Sequence, residues 1–206
     1  MLSITHERTR NRMSGPVHDS AALPGRGVFG MWIFLATDAA GFGGLLLANG
    51  VLRARAASWP DPHGRFSLPL AAVMTFLLLA SSLTASLAVD AAGRGRRGSA
   101  LRWLAATIVL GAAFLGCQAV EYHHLLSAPP VVGLSTDLAA SLFFVITGFH
   151  GLHVVAGVFY LLALLVAQAR AAHASPSSLA VAALFWHFVD FVWAAIFFAL
   201  YLLPVA

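Results

Sequence analysis

The chain carries little charge: 10% of its 206 residues are Asp, Glu, Lys or Arg, against about 25% in an average soluble domain. It has no lysine at all. Its hydrophobic share is 60% and its mean hydropathy is +0.84. So few polar residues could not cover the surface of a soluble domain of this length. The composition therefore excludes a soluble domain and indicates an integral membrane protein.

Cysteine is scarce as well, since Cys117 is the only one. A single cysteine excludes an intrachain disulfide and makes no metal site by itself. Because Cys117 lies inside an apolar stretch, we interpret it as a small buried hydrophobic residue.

The basic charge is unevenly distributed. A net charge of +4 could indicate nucleic-acid binding, but 11 of the 12 arginines lie in or beside polar segments before Trp103. Membrane topology explains this pattern better, because cytoplasmic loops are rich in basic residues. Nine arginines on one side of the predicted spans predict a cytoplasmic N-terminus and an external C-terminus. The nine are Arg8, Arg10, Arg12, Arg26, Arg94, Arg96, Arg97, Arg102 and Arg170, and the three opposite are Arg53, Arg55 and Arg65.

Five stretches reach the roughly 20 apolar residues that a transmembrane helix needs. Proline and glycine clusters separate them, and a polar, Arg-rich tail at 1–26 precedes them without a recognisable cleavage site, so we expect no cleaved signal peptide. The sequence thus predicts an all-α integral membrane protein with one five-helix domain at 27–206. The predicted spans are 27–52, 68–91, 100–122, 138–169 and 178–203.

Five ionisable residues lie deep inside these spans. At about 1.5 Å per residue they fall in the middle of the bilayer, where an ionisable side chain costs roughly 2.5–3.5 kcal/mol. Such residues mark a functional site or a buried partner. They are Asp38 in the first span, His150 and His153 in the fourth, and His187 and Asp190 in the fifth.

His150 and His153 are three residues apart and so share a helix face, and Gly151 and Gly157 beside them allow another helix to approach. The pair could ligate a metal or haem, relay protons, or simply hydrogen-bond to neighbouring helices. We favour the last interpretation, because a closed metal site needs three or four ligands and a haem needs an opposing axial ligand. His187 could serve as that ligand, but nothing in the sequence demands it.

His187 and Asp190 have the same spacing, so Asp190 could accept a hydrogen bond from His187. Trp186 and Trp193 flank this carboxylate, which favours contact between helices over lipid or proton handling. Asp38 has no basic residue within reach on its own helix. It could be a proton site or be paired with a histidine, and a structural hydrogen bond is the favoured interpretation.

Gln118, Glu121 and Tyr122 end the third span, and the first two share a helix face. Because polar groups cost less at the membrane interface, we favour anchoring and solvation of the helix end.

Four segments, in order along the chain, resemble subunit III of the haem–copper terminal oxidases. Residues 30–38 (GMWIFLATD) are similar to the first helix that the family shares, and residues 118–122 (QAVEY) to its Q-x-x-E-Y segment. Residues 147–154 (TGFHGLHV) and 186–193 (WHFVDFVW) are similar to two further family signatures. The resemblance covers about residues 27–203. It is to the short five-helix form, which lacks the first two helices of longer members.

This resemblance implies a non-catalytic accessory subunit of a respiratory oxidase that reduces O₂ to water and pumps protons. Haems and copper are then expected on partner subunits and not on this chain. The implied partners are catalytic subunit I, subunit II and bound phospholipid, with no nucleic acid, in a bacterial inner (plasma) membrane.

The implied roles are to stabilise the catalytic subunit and to support proton uptake and oxygen access. The buried polar set is the candidate site, with Asp38 where the family usually carries a glutamate, and no catalytic or metal-ligating residue is expected. Candidates for contact with lipid phosphates or charged partners are Glu121 and three arginines of a basic inner loop, Arg94, Arg96 and Arg97.

Three other functions stay open at this point. One is an accessory subunit of a nitric oxide reductase. Another is a small haem-binding electron carrier that uses His150, His153 and His187. The third is a proton or ion transporter built on the midplane carboxylates, against which the lack of inverted repeats argues mildly.

Overall fold

The structure, a computed structural model, describes residues 26–59, 66–127, 131–170 and 175–203. These residues form five long α-helices and no strand, so the predicted all-α class is confirmed. Each helix is long and apolar enough to cross a membrane. The predicted N-terminal tail lies outside the described residues, apart from Arg26. The helices are α1 (Arg26–Arg55), α2 (Leu68–Gly93), α3 (Arg97–Ser127), α4 (Leu138–Arg170) and α5 (Pro176–Phe197), and α5 continues into a π-helical turn at Phe198–Leu202.

Serine caps set the starts of α2 and α5. The Ser67 hydroxyl accepts a hydrogen bond from the Leu70 amide, and the Ser175 hydroxyl accepts one from the Ser178 amide, both at 3.4 Å. A proline follows each cap, where its missing N–H costs nothing because no helical carbonyl precedes it. These caps fix where the two helices begin.

A turn of three residues, 94–96, connects α2 to α3. Gly95 has φ +70°, a left-handed conformation that glycine adopts without steric cost. The Gly95 amide donates to the Ala92 carbonyl at 3.0 Å and the Arg96 amide to the Ala91 carbonyl at 2.8 Å, which satisfies the last carbonyls of α2. The tight turn makes α2 and α3 an antiparallel pair with the most extensive helix contact in the chain.

The third helix is longer than the apolar run that predicted it. Hydropathy indicated 100–122, whereas α3 runs Arg97–Ser127. Helical hydrogen bonding continues through the polar residues after Tyr122, because a membrane-spanning helix does not have to end where its apolar segment ends.

The α5 helix is the most buried of the five and contacts α1, α2 and α4. In its most apolar 18-residue segment 56% of the residues are buried, against 11% in α1. The Trp186 ring of α5 fits between Gly111 of α3 and Gly157 of α4, where an added Cβ would lie 2.6 Å and 2.8 Å from the ring. Glycine at both positions is therefore what admits the indole.

Candidate functional site

Asp38 and His153 join α1 to α4. Nε2 of His153 lies 3.1 Å from Oδ1 of Asp38, and the two side chains are only 16% and 12% exposed. Nδ1 of His153 lies 2.8 Å from the Phe149 carbonyl oxygen, and because a carbonyl only accepts, Nδ1 carries a proton. A hydrogen bond between Nε2 and the carboxyl group then requires one further proton. That proton lies on the imidazole in an imidazolium–carboxylate pair, or on the carboxyl group in an imidazole–carboxylic acid pair. Of the histidines predicted as partners for Asp38, the structure brings His153 to it.

His187 of α5 hydrogen-bonds to α2. Its Nδ1 lies 2.5 Å from the Ser82 hydroxyl and its Nε2 lies 3.3 Å from the Ser86 hydroxyl. The expectation that Asp190 accepts from His187 is wrong, because the imidazole turns toward α2 and both of its nitrogens are used there. Ser82 also lies beside the Asp190 carboxyl group.

Asp190 lies on α5 between two tryptophans that are hydrogen-bonded to side chains of α2. The Trp186 indole N–H donates to the Ser81 hydroxyl at 2.8 Å, and the Trp193 indole N–H donates to the Thr75 hydroxyl at 3.0 Å. Asp190 itself is 7% exposed. Neither of its oxygens has a hydrogen bond of good geometry to any residue that the structure describes. The carboxyl group is thus buried against protein, as its aromatic neighbours predicted.

His150 is fully buried among aromatic rings. Its ring centroid lies 5.3 Å from that of Trp193, 5.7 Å from that of Phe114 and 6.3 Å from that of Phe42. Within the described ranges neither ring nitrogen has a hydrogen-bond partner. No group of three His, Cys, Asp or Glu side chains in those ranges is arranged to hold a metal. The two histidines of the motif therefore have different surroundings: His153 pairs with a carboxyl group and His150 packs as an aromatic residue.

Gln118 and Tyr122 of α3 bind Thr147 of α4. The Gln118 amide donates to the Thr147 carbonyl at 2.8 Å and to the Tyr122 hydroxyl at 3.2 Å, and the Tyr122 hydroxyl lies 2.7 Å from the Thr147 hydroxyl. A Cβ at Gly151 would lie 3.0 Å from the Gln118 side chain. Since Gln118 is only 5% exposed, the interpretation that it solvates a helix end is wrong.

Glu121 is also buried, at 3% exposure. Its Oε2 accepts a hydrogen bond from the Tyr201 hydroxyl at 2.9 Å, and the Ser67 backbone amide lies beside the same carboxyl group. The predicted solvation of Glu121 is therefore wrong too, because the π-helical turn after α5 brings Tyr201 over it.

The three arginines of the α2–α3 turn differ in what they contact. Arg94 forms an ion pair with Asp90 at 2.9 Å on the surface, and Arg96 is exposed. The Arg97 guanidinium donates to the carbonyls of Gln168 at 3.3 Å and Ala169 at 2.7 Å, at the end of α4.

Sequence reasoning missed the polar residues of α2 and the partners on other helices. The available signal was residues 80–86 (ASSLTAS), a polar run inside an apolar span. The missed residues are Thr75, Ser81, Ser82, Ser86, Thr147 and Tyr201.

Comparisons with known proteins show which family the chain is similar to. The family described as cytochrome c oxidase subunit III matches residues 57–205. Cytochrome bo(3) ubiquinol oxidase subunit 3 of Pseudomonas aeruginosa is 40% identical over 189 residues, 90% of this chain and 88% of the relative. Quinol oxidase subunit 3 of Bacillus subtilis is 37% identical over 179 residues, 85% and 86% of the two chains. Cytochrome c oxidase subunit 3 of a Synechocystis species is 36% identical over 194 residues, 92% and 81%.

The helices and their buried polar contacts define a multi-pass membrane protein. The match over most of its length shows that the chain belongs to the cytochrome c oxidase subunit III family. It is therefore an accessory subunit III of a haem–copper oxidase in a respiratory chain, and it works in a complex with other oxidase subunits.

Proposed function

We propose that this chain is a non-catalytic, structural partner of catalytic subunit I and of subunit II. The observation that supports this most is the way its buried and half-buried polar side chains bridge helices. Asp38 and His153 join α1 to α4, and Gln118 reaches from α3 to α4. Trp186 and His187 reach from α5 to α2. These side chains serve the packing of the chain itself, and the haems and copper of the oxidase lie on partner subunits.

The chain lies in a bacterial plasma membrane, with its N-terminus in the cytoplasm. Its bacterial relatives support the assignment to this membrane, and the distribution of its arginines supports the orientation. The α2–α3 turn and the C-terminal end of α4 share one end of the bundle, where Arg97 meets Ala169. Arg53 and Arg55 end α1 at the opposite end. The arginine-rich end faces the cytoplasm.

Phospholipid binds at two features in the cytoplasmic half of the bundle. One is an apolar groove of about 420 Å³ between α1 and α5, which Trp32, Leu35, Leu184 and Phe188 line; it suits an acyl chain. The other is the exposed pair Arg94 and Arg96, which suits anionic headgroups. Lipid held there supports proton uptake and oxygen access in the catalytic subunit.

The test is gentle purification through a tag on this chain. Co-purifying subunits are identified, and a reduced-minus-oxidised spectrum is recorded before and after the partners are stripped away. Haem that leaves with a large partner supports the proposal. Haem that stays on this chain would overturn it in favour of an electron carrier, and recovery with nitric oxide reductase subunits would assign the chain to that enzyme. Absence of any partner and of haem would favour a transporter.

A further inference from the structure

A pocket of about 330 Å³ opens between the start of α2 and the last turns of α3. Glu121 lies in its wall, and Ser67 and His124 line it from exposed positions. Glu121 is 24 residues after Arg97, the first residue of α3, or about 36 Å along the helix axis at 1.5 Å per residue. Since the hydrocarbon core is about 30 Å thick, the pocket lies at the level of the lipid headgroups, at the end of the bundle opposite the α2–α3 turn.

The Glu121 carboxyl group is not fully used inside the chain. Tyr201 donates to Oε2 and the Ser67 backbone amide lies beside the carboxyl group, but Oε1 has no hydrogen bond of good geometry from any residue in the described part of the chain. A buried carboxylate oxygen without a donor is costly, so a donor that enters the pocket would be stabilised there. A cationic donor would be favoured most, because hydrogen bonds between charged groups are the stronger ones.

The other polar side chains of the pocket suit an anion. The Ser67 hydroxyl accepts from the Leu70 amide, which leaves its own proton free to donate. The His124 imidazole, three residues after Glu121 on the same helix, supplies a second N–H. The pocket thus offers a buried carboxylate inside and two donors near its mouth, which together complement a zwitterion.

We propose that this pocket binds the headgroup of an aminophospholipid. Its primary ammonium group donates to Glu121, and its phosphate accepts from Ser67 and His124. Choline headgroups fit less well, because a quaternary ammonium has no N–H to donate. The proposal extends the phospholipid binding proposed above to a third site, at the opposite end of the bundle. The two can fail separately, because the arginines and the α1–α5 groove take no part in this one.

The test couples the lipid amine to the carboxyl group. The purified oxidase, in nanodiscs that contain phosphatidylethanolamine, is treated with a carbodiimide. The lipid amine attacks the activated Glu121 carboxyl carbon, an amide bond forms, the nitrogen loses a proton, and the carbodiimide leaves as its urea. We expect a lipid adduct on the peptide that contains Glu121, and none in phosphatidylcholine nanodiscs. An adduct on exposed Asp90 without one on Glu121 would overturn the proposal, as would coupling of Glu121 to a lysine of a partner subunit.

Two adjacent histidines provide a matched pair of variants. His123 and His124 are both exposed, but only His124 lines the pocket. We expect His124→Ala to lower the adduct yield about tenfold, as for loss of a hydrogen bond to a charged group, and His123→Ala to leave it unchanged. Equal yields in the two variants would exclude His124 from the site and contradict the proposed headgroup geometry.

Discussion

Nε2 of His153 lies 3.1 Å from Oδ1 of Asp38, and this contact joins α1, the least buried of the five helices, to α4. Phe42 of α1 supports the same contact, since its ring centroid lies 5.1 Å from that of His153 and 4.9 Å from that of Phe149. Near the far end of α1, the Arg53 guanidinium donates to the Leu203 carbonyl at 2.9 Å. The partly buried carboxyl–imidazole pair is therefore one of several contacts, with α4 and with α5, that hold α1 in the bundle.

The first prediction concerns that pair. In the assembled oxidase, Asp38→Asn should leave O₂ reduction intact in the first turnovers but impair lipid retention, proton supply or sustained activity. The amide keeps a hydrogen bond to His153 but loses the stronger interaction of a charged pair, so α1 is held less firmly, by about 1 kcal/mol. Activity is followed over successive turnovers, together with bound phospholipid.

Two control variants separate the charge from the position. Asp38→Glu keeps the carboxyl group, and it should behave like the unmodified chain. Thr37→Val changes an exposed neighbour whose hydroxyl donates only to the Ile33 carbonyl of its own helix, and it should have little effect. Immediate loss of haem chemistry in a fully assembled Asp38→Asn oxidase would contradict the accessory role.

The second prediction concerns the glycines around Trp186. Gly111→Ala should lower the melting temperature of the purified complex, because the new Cβ would lie 2.6 Å from a buried indole that is hydrogen-bonded to Ser81 and packed against Gly157. Overpacking of this kind costs about 1–3 kcal/mol. Gly116→Ala is the control on the same helix, since nothing lies within 4 Å of its Cβ position. Equal melting temperatures for the two variants would show that Trp186 can shift aside.

The third prediction concerns the bond between Trp186 and Ser81. Ser81→Ala should destabilise the complex by about 1–3 kcal/mol, because it leaves a buried indole N–H without an acceptor. In a Trp186→Phe background the same change should cost much less, because that N–H is gone. A double-mutant cycle on thermal unfolding measures the coupling, and additive effects would mean that the bond contributes nothing to stability.

Hydropathy and motif spacing predicted the five helices and the family, because long apolar runs and two specific signatures are local features of the sequence. They did not predict which histidine meets Asp38. His150 and His153 share a helix face, and the choice between them depends on how α1 is rotated against α4. The predicted hydrogen bond between His187 and Asp190 was wrong for a related reason. Their spacing places both residues on one helix face, but the serines of α2 set the orientation of the His187 ring.

The burial of Glu121 and the role of Ser81 were missed for a different reason. Tyr201, which covers Glu121, is 80 residues away in sequence, and its position depends on the π-helical turn. Serine in a membrane helix commonly bonds to its own backbone, as Ser81 also does to the Leu78 carbonyl at 2.7 Å. Its presence alone therefore gives no sign of a partner on another helix.

The last prediction separates two arginines that the sequence placed together as lipid ligands. Arg97→Gln should destabilise the complex, because its guanidinium binds the carbonyls that end α4 and such charged hydrogen bonds contribute about 1.5–3 kcal/mol each. Arg96→Gln should leave the melting temperature unchanged but weaken retention of anionic lipid by about 1 kcal/mol. Thermal unfolding measures the change in melting temperature, and native mass spectrometry measures the retention of anionic lipid. An Arg97→Gln variant that loses only lipid would restore Arg97 as a headgroup ligand, as the basic turn first suggested.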